Sequence, residues 1–154
     1  MSPTVRSLCV AAFFWAVLAT LTATMRPLLP VDETRYAAVA WEMRTSGEYL
    51  VPHLNGETYS HKPPLLFWAL CAAWTVFGEH DWVARAIGPF FAFCASALTV
   101  YLARVLWPDD EQTPGYSGLA LVAIPMFAVY GSMLMFDALI TCFVLIALCG
   151  VVHL

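Results

Sequence analysis

The sequence predicts an all-α polytopic membrane protein, with about four transmembrane helices and two interfacial amphipathic helices in the first extramembrane loop. Three observations carry this. Of 154 residues, 61% are hydrophobic and only 12% are charged, against about 25% charged in an ordinary soluble domain. Mean hydropathy is +0.74. The apolar residues fall in long uncharged runs, while the charges and most of the prolines crowd into short stretches between them. Seven basic residues form no patch or arm, which excludes nucleic acid as a partner.

The first run, Ser7 to Met25, is nineteen uncharged residues between Arg6 and Arg26, close to the roughly 20 that cross a hydrocarbon core. A cleaved signal peptide is the rival reading; Phe13, Phe14 and Trp15 in mid-run and the further spans downstream favour a transmembrane helix. Residues 26–81 form the extramembrane loop. Within it, Asp32 is expected to cap a helix that runs to about Ser46 and stops at Gly47. Tyr36, Ala40 and Met43 share one face of that helix, as an interfacial helix requires. Turn signals follow at Pro52, Asn55-Gly56 and Pro63-Pro64. Leu65 to Phe77 is apolar but only thirteen residues, a rise of about 20 Å, so it reads as a second interfacial or re-entrant helix.

A second span is expected over about 86–103, kinked at Gly88-Pro89. After a short acidic connection, Asp137 is the only charged residue from Leu119 to Leu154. That length predicts a helical hairpin, with spans at about 117–131 and 137–154 turning at Gly131-Ser132. Counting spans then places Asp32 and Asp137 on one membrane face. Leu154 ends an apolar run with no polar tail, which predicts a chain that continues. The five cysteines, Cys9, Cys71, Cys94, Cys142 and Cys149, show no metal-finger spacing and read as small packing residues without disulfides.

Three groups of residues are candidates for chemistry. Asp32-Glu33-Thr34-Arg35-Tyr36 puts acids at a helix start, where they cap and favour the positive end of the dipole; a carboxylate there can also serve as a base. In Tyr59-Ser60-His61-Lys62-Pro63-Pro64, the following proline holds Lys62 extended. Lys62 is either a snorkelling lysine or a phosphate ligand at headgroup level. Asp137 is costly in an apolar hairpin, and such groups usually face a cavity. Arg85, at the mouth of the second span, is its partner or a second phosphate contact. A divalent metal is a possible cofactor, with His61 and His53 as candidate ligands beside the acids, but no HExxH-like spacing is present.

Three sequence stretches resemble a known family. DETRYAAVAWEM (32–43), SGEYLVPHLNGETYSHKPPLLFWAL (46–70) and FGEHDWVAR (77–85), with an acid opening the last span, are similar to the aminoarabinose transferase-like branch of the protein O-mannosyltransferase superfamily. These are GT-C membrane glycosyltransferases, and the chain resembles their N-terminal portion. The resemblance implies a polyprenyl-phosphate-linked sugar as donor and a lipid or protein acceptor, lipid A above all. It further implies transfer on the periplasmic face of a bacterial inner membrane. Residue by residue, it implies Asp32 as catalytic acid, Asp137 as the second acid, and Lys62 against the donor phosphate. Glu33, Arg35, Tyr36 and Tyr59 would line the substrate pocket. One departure is His61, where relatives usually carry an acid before the KPP lysine. Charge counting opposes the implied orientation. Arg26, Arg35, Arg44 and Lys62 in the long loop outnumber Arg6 and Arg104, which by the positive-inside rule puts that loop in the cytoplasm. Cations fixed by a binding site would not report on orientation. The alternatives are a transporter or flippase-like subunit with the same residues along a path, or an inactive fragment.

Overall fold

A computed structural model describes residues 2–154. Seven helices and one small hairpin follow in the order α1 (Pro3–Met25), α2 (Asp32–Ser46), β1 (His53–Leu54), β2 (Glu57–Thr58), α3 (Leu65–Phe77), α4 (Asp81–Leu106), α5 (Gln112–Ala123), α6 (Pro125–Gly131) and α7 (Phe136–Val152). α4 is the central post, packed against α1, α5 and α7. α2, α3 and the hairpin gather at the end of the bundle where α1 stops and α4 begins.

The helices end where local chemistry requires. Gly47 closes α2 at φ 74°, and its N–H donates to the Met43 carbonyl, the left-handed stop that glycine takes without a Cβ penalty. Asp32 is the first helical residue of α2 rather than its cap; the flanking Val31 makes no side-chain cap hydrogen bond. The 26 residues of α4 run through Pro89 as continuous helix.

α5 and α6 differ from the single helix expected over 117–131. They meet at a 70° bend, where Pro125 follows Ile124 and cannot continue the hydrogen-bond ladder. α7 has 17 residues, a rise of about 26 Å against a hydrocarbon core of about 30 Å. By length and composition, α1 and α4 can each cross a membrane, or three spans if the bent pair counts as one. Their outward side chains suit lipid: Val5, Val10, Phe13, Val17 and Leu21 on α1 and Phe90 on α4 are exposed.

Inside the bundle, Trp15 of α1 donates its indole N–H to Ser96 of α4 at 3.1 Å, a buried interhelical bond of the kind that holds membrane helices together. Small residues let the elements close up. A Cβ built on Gly88 of α4 would lie 2.0 Å from the Met133 carbonyl oxygen. Because that neighbour is backbone, it cannot rotate away. Gly88→Ala should cost about 1–3 kcal/mol, typical of overpacking; a thermal melt in detergent checks it. All five cysteines are free thiols.

Candidate functional site

The loop that carries Lys62 is built on a two-residue turn. Asn55 and Gly56 take φ 55° and 80°, the positive pair that a tight hairpin needs, with His53 opposite Thr58 and Leu54 opposite Glu57. Glu42 of α2 fixes the turn from below, accepting from the Asn55 N–H at 2.6 Å and the Gly56 N–H at 3.2 Å. On the far side, the Trp68 indole of α3 donates to the Tyr49 carbonyl at 2.7 Å. The segment from Tyr59 to Pro64 therefore leaves a hairpin anchored on two helices.

Below it lies an aromatic floor. Phe136, at the start of α7, meets Tyr36 edge-on at 5.2 Å and Phe67 at 5.7 Å, and Tyr59 meets Phe67 at 6.1 Å. The Lys62 ammonium sits over the Phe136 ring, 5.5 Å from its centre, within cation–π range. Tyr36 and Tyr59 are buried in this cluster, and the Tyr59 hydroxyl has no hydrogen-bond partner among the described residues.

Charges ring the floor. Asp32 is half exposed and lies 3.7 Å from Arg35; Asp137 opens α7 one residue beyond Phe136 and is exposed. Burial first, then the negative charges of Asp32, Tyr59 and Asp137, push the Tyr36 phenol up to about 12, with Arg35 opposing. The phenol thus stays protonated at neutral pH and can donate a hydrogen bond. Asp32, Arg35, Tyr36, Tyr59, Lys62 and Asp137, from three separate stretches of chain, converge on one patch.

Two sequence-predicted site residues are engaged elsewhere. Glu33 is 1% exposed. Its carboxylate accepts from the Leu29 and Leu134 N–H groups, each at 2.8 Å, and pairs with both terminal nitrogens of Arg26 at 2.5 and 3.2 Å. Burial alone would raise this carboxyl; the bonds from Arg26, Leu29 and Leu134 outweigh it and hold the group below its ordinary value. Arg85 is likewise buried, donating to the Thr22, Ala23 and Arg26 carbonyls and to the Asp81 carbonyl. It closes the open carbonyl end of α1, where the helix dipole favours a cation. Neither group is free for a substrate phosphate in this arrangement.

Among the described residues, no three His, Cys, Asp or Glu side chains gather to hold a metal ion. His53 lies in β1, and His61 is exposed beside the Tyr59 ring. Sequence reasoning missed Arg26, taken only as a flank of the first span, together with Phe136, Phe67 and Glu42. The signal for Phe136 was its place directly before the lone acid of the hairpin.

No family model matches the chain. It is 33% identical over 131 residues to the undecaprenyl phosphate-alpha-4-amino-4-deoxy-L-arabinose arabinosyl transferase of Yersinia enterocolitica, covering 84% of this chain and 23% of that protein. A transferase of the same description from Sodalis glossinidius is 32% identical over 155 residues, covering 97% of this chain and 26% of its own length. The crystal structure of ArnT from Cupriavidus metallidurans bound to undecaprenyl phosphate superposes with a TM-score of 0.78 at 29% identity, covering 95% of this chain and 27% of that one. The chain thus spans about a quarter of the length of the curated relatives it matches.

Proposed function

Starting from a chain homologous to the undecaprenyl phosphate-aminoarabinose arabinosyl transferases over about a quarter of their length, we propose that the intact protein is a membrane glycosyltransferase. Its donor is a polyprenyl-phosphate-linked sugar, aminoarabinose by kinship, and its acceptor is lipid A. Transfer takes place on the periplasmic face of the bacterial inner membrane. One observation carries the reading: two acids and a lysine, far apart in sequence, meet over one aromatic floor at one end of the helices.

The chemistry follows from that arrangement. An acceptor oxygen attacks the anomeric carbon of the sugar, the bond from that carbon to the phosphate oxygen breaks, and the polyprenyl phosphate leaves with the electron pair. Charge that develops on the leaving phosphate is stabilised by cations already in place; Lys62 supplies one, and the nearby Arg35 a second. Where the acceptor is a hydroxyl, its proton passes to Asp32 as general base. Where it is an ionised phosphate of lipid A, no proton moves and Asp32 orients the acceptor. The protonated Tyr36 and the unpartnered Tyr59 hydroxyl supply donors for sugar or phosphate oxygens. A transporter fits less well, because Asp32 and Asp137 lie in the first turns of their helices rather than at mid-span.

Membrane sidedness tests the reading. In a protein freed of native cysteines, a cysteine at Glu57 should react with an impermeant maleimide added outside intact cells. One at Gln112 should react only after permeabilisation. The reverse pattern would uphold the positive-inside count and leave the site without its donor face.

A further inference from the structure

We propose that Glu33 is a positioning residue: with Arg26 it latches the first turn of α2 to the joint between α6 and α7, and so sets the spacing of Asp32 and Asp137. As far as it concerns catalysis, the inference rests on the transferase reading above.

The carboxylate is the meeting point of three separate segments. The Leu29 N–H comes from the link after α1, the Leu134 N–H from the joint of residues 132–135, and Glu33 itself from α2. Arg26 completes the latch twice over. It pairs with both carboxylate oxygens and donates to the Ser132 carbonyl at 3.1 Å. Such a forked pair fixes direction as well as distance. Arg85 in turn grips the Arg26 carbonyl, so the arginine that holds Glu33 is held from α4.

The two acids hang directly on this latch. Asp32 is the residue before Glu33, and Asp137 is three residues beyond Leu134. Among the described residues, neither acid side chain has a firm anchor of its own: Asp32 makes one ion-pair contact at 3.7 Å, and Asp137 is exposed. Their separation is therefore inherited from the bonds at Glu33. The floor ring Phe136 lies between Leu134 and Asp137 and comes under the same control. The close approach of Gly88 to Met133 also packs the joint against α4. A carboxylate that accepts from four donors while almost wholly buried has nothing left for a substrate, which excludes the ligand role expected from its place beside Asp32.

The test measures spacing directly. With the five native cysteines replaced, spin labels at Thr34→Cys and Ile140→Cys, both exposed positions on α2 and α7, report the distance between the two helix starts in lipid vesicles. One narrow distance is expected with Glu33 in place. Glu33→Gln, close in size but without the charge and second acceptor oxygen of the forked pair with Arg26, should broaden or split the distribution. Arg26→Gln should do the same, and the double variant should add nothing further. An unaltered narrow distance in Glu33→Gln overturns the proposal, and this isosteric change decides the matter even if Glu33→Ala fails to fold. In the intact enzyme, Glu33→Gln should lower kcat by about 10²-fold, the scale of a small misplacement. The donor KM should change by less than about threefold. A raised donor KM at unchanged kcat would make Glu33 a ligand and overturn the proposal as well. If the unmutated protein transfers no sugar, the transferase reading fails, while the distance measurement still decides the latch.

Discussion

Asp32→Asn is expected to lower sugar transfer to a hydroxyl acceptor by about 10²–10⁴-fold, the range over which a positioned base contributes. The variant should fold normally. Asp32 is half exposed and, among the described residues, accepts no capping N–H and touches only Arg35, at 3.7 Å; an exposed pair of that kind contributes little to stability. Asparagine keeps the size and hydrogen-bonding capacity of the side chain while removing its basicity and charge. Turnover of a hydroxyl and a phosphate acceptor, read side by side with a thermal melt, separates base from orienter. A large loss with the hydroxyl alone identifies Asp32 as the base, whereas a loss with both identifies it as the group that orients the acceptor. Unchanged turnover of both would remove Asp32 from the site.

Lys62→Ala is expected to weaken binding of a polyprenyl phosphate by about ten- to a hundredfold, the worth of one charge-assisted hydrogen bond. The effect should show in donor affinity more than in folding, because Lys62 is exposed and, among the described residues, has no carboxylate partner within salt-bridge distance and rests on the Phe136 ring. Lys62→Arg should recover affinity in part, since the guanidinium keeps the charge but brings a planar fork where a compact ammonium stood. Equal affinity of the alanine variant and the parent for undecaprenyl phosphate in vesicles would place the donor phosphate elsewhere.

Much of the fold is legible because local signals and tertiary packing agree. Gly47 ends α2 where a glycine stop was read, and Tyr36, Ala40 and Met43 are buried together as their helical spacing requires. Asn55-Gly56 makes its turn. The break between α5 and α6 was hidden inside a run of even hydropathy; Pro125 was its one local mark, and an apolar run by itself does not say where it bends. Asp32 was read as a cap, yet the helix starts on it, a one-residue difference that frees its carboxylate from backbone duty.

The site divides along a physical line. Residues whose placement depends on their own loop, such as the exposed Lys62 before its prolines, could be read from sequence. Glu33 and Arg85 could not. A charged residue beside a catalytic candidate looks the same in sequence whether it faces substrate or a buried partner, and only the fold reveals that Leu134, 101 residues away, donates to Glu33. Phe136 was overlooked for the same reason: its ring becomes a floor only when α3 and the hairpin close over it.

The most direct measurement is transfer itself. The intact protein in lipid vesicles is given undecaprenyl phosphate-aminoarabinose and lipid A, and the lipids are extracted and resolved by mass spectrometry. The expected products are lipid A carrying one added aminoarabinose and a matching amount of undecaprenyl phosphate, both sharply reduced in Lys62→Ala when donor is limiting. Donor left intact by the unmutated protein, or consumed equally by that variant, would contradict the proposed transfer.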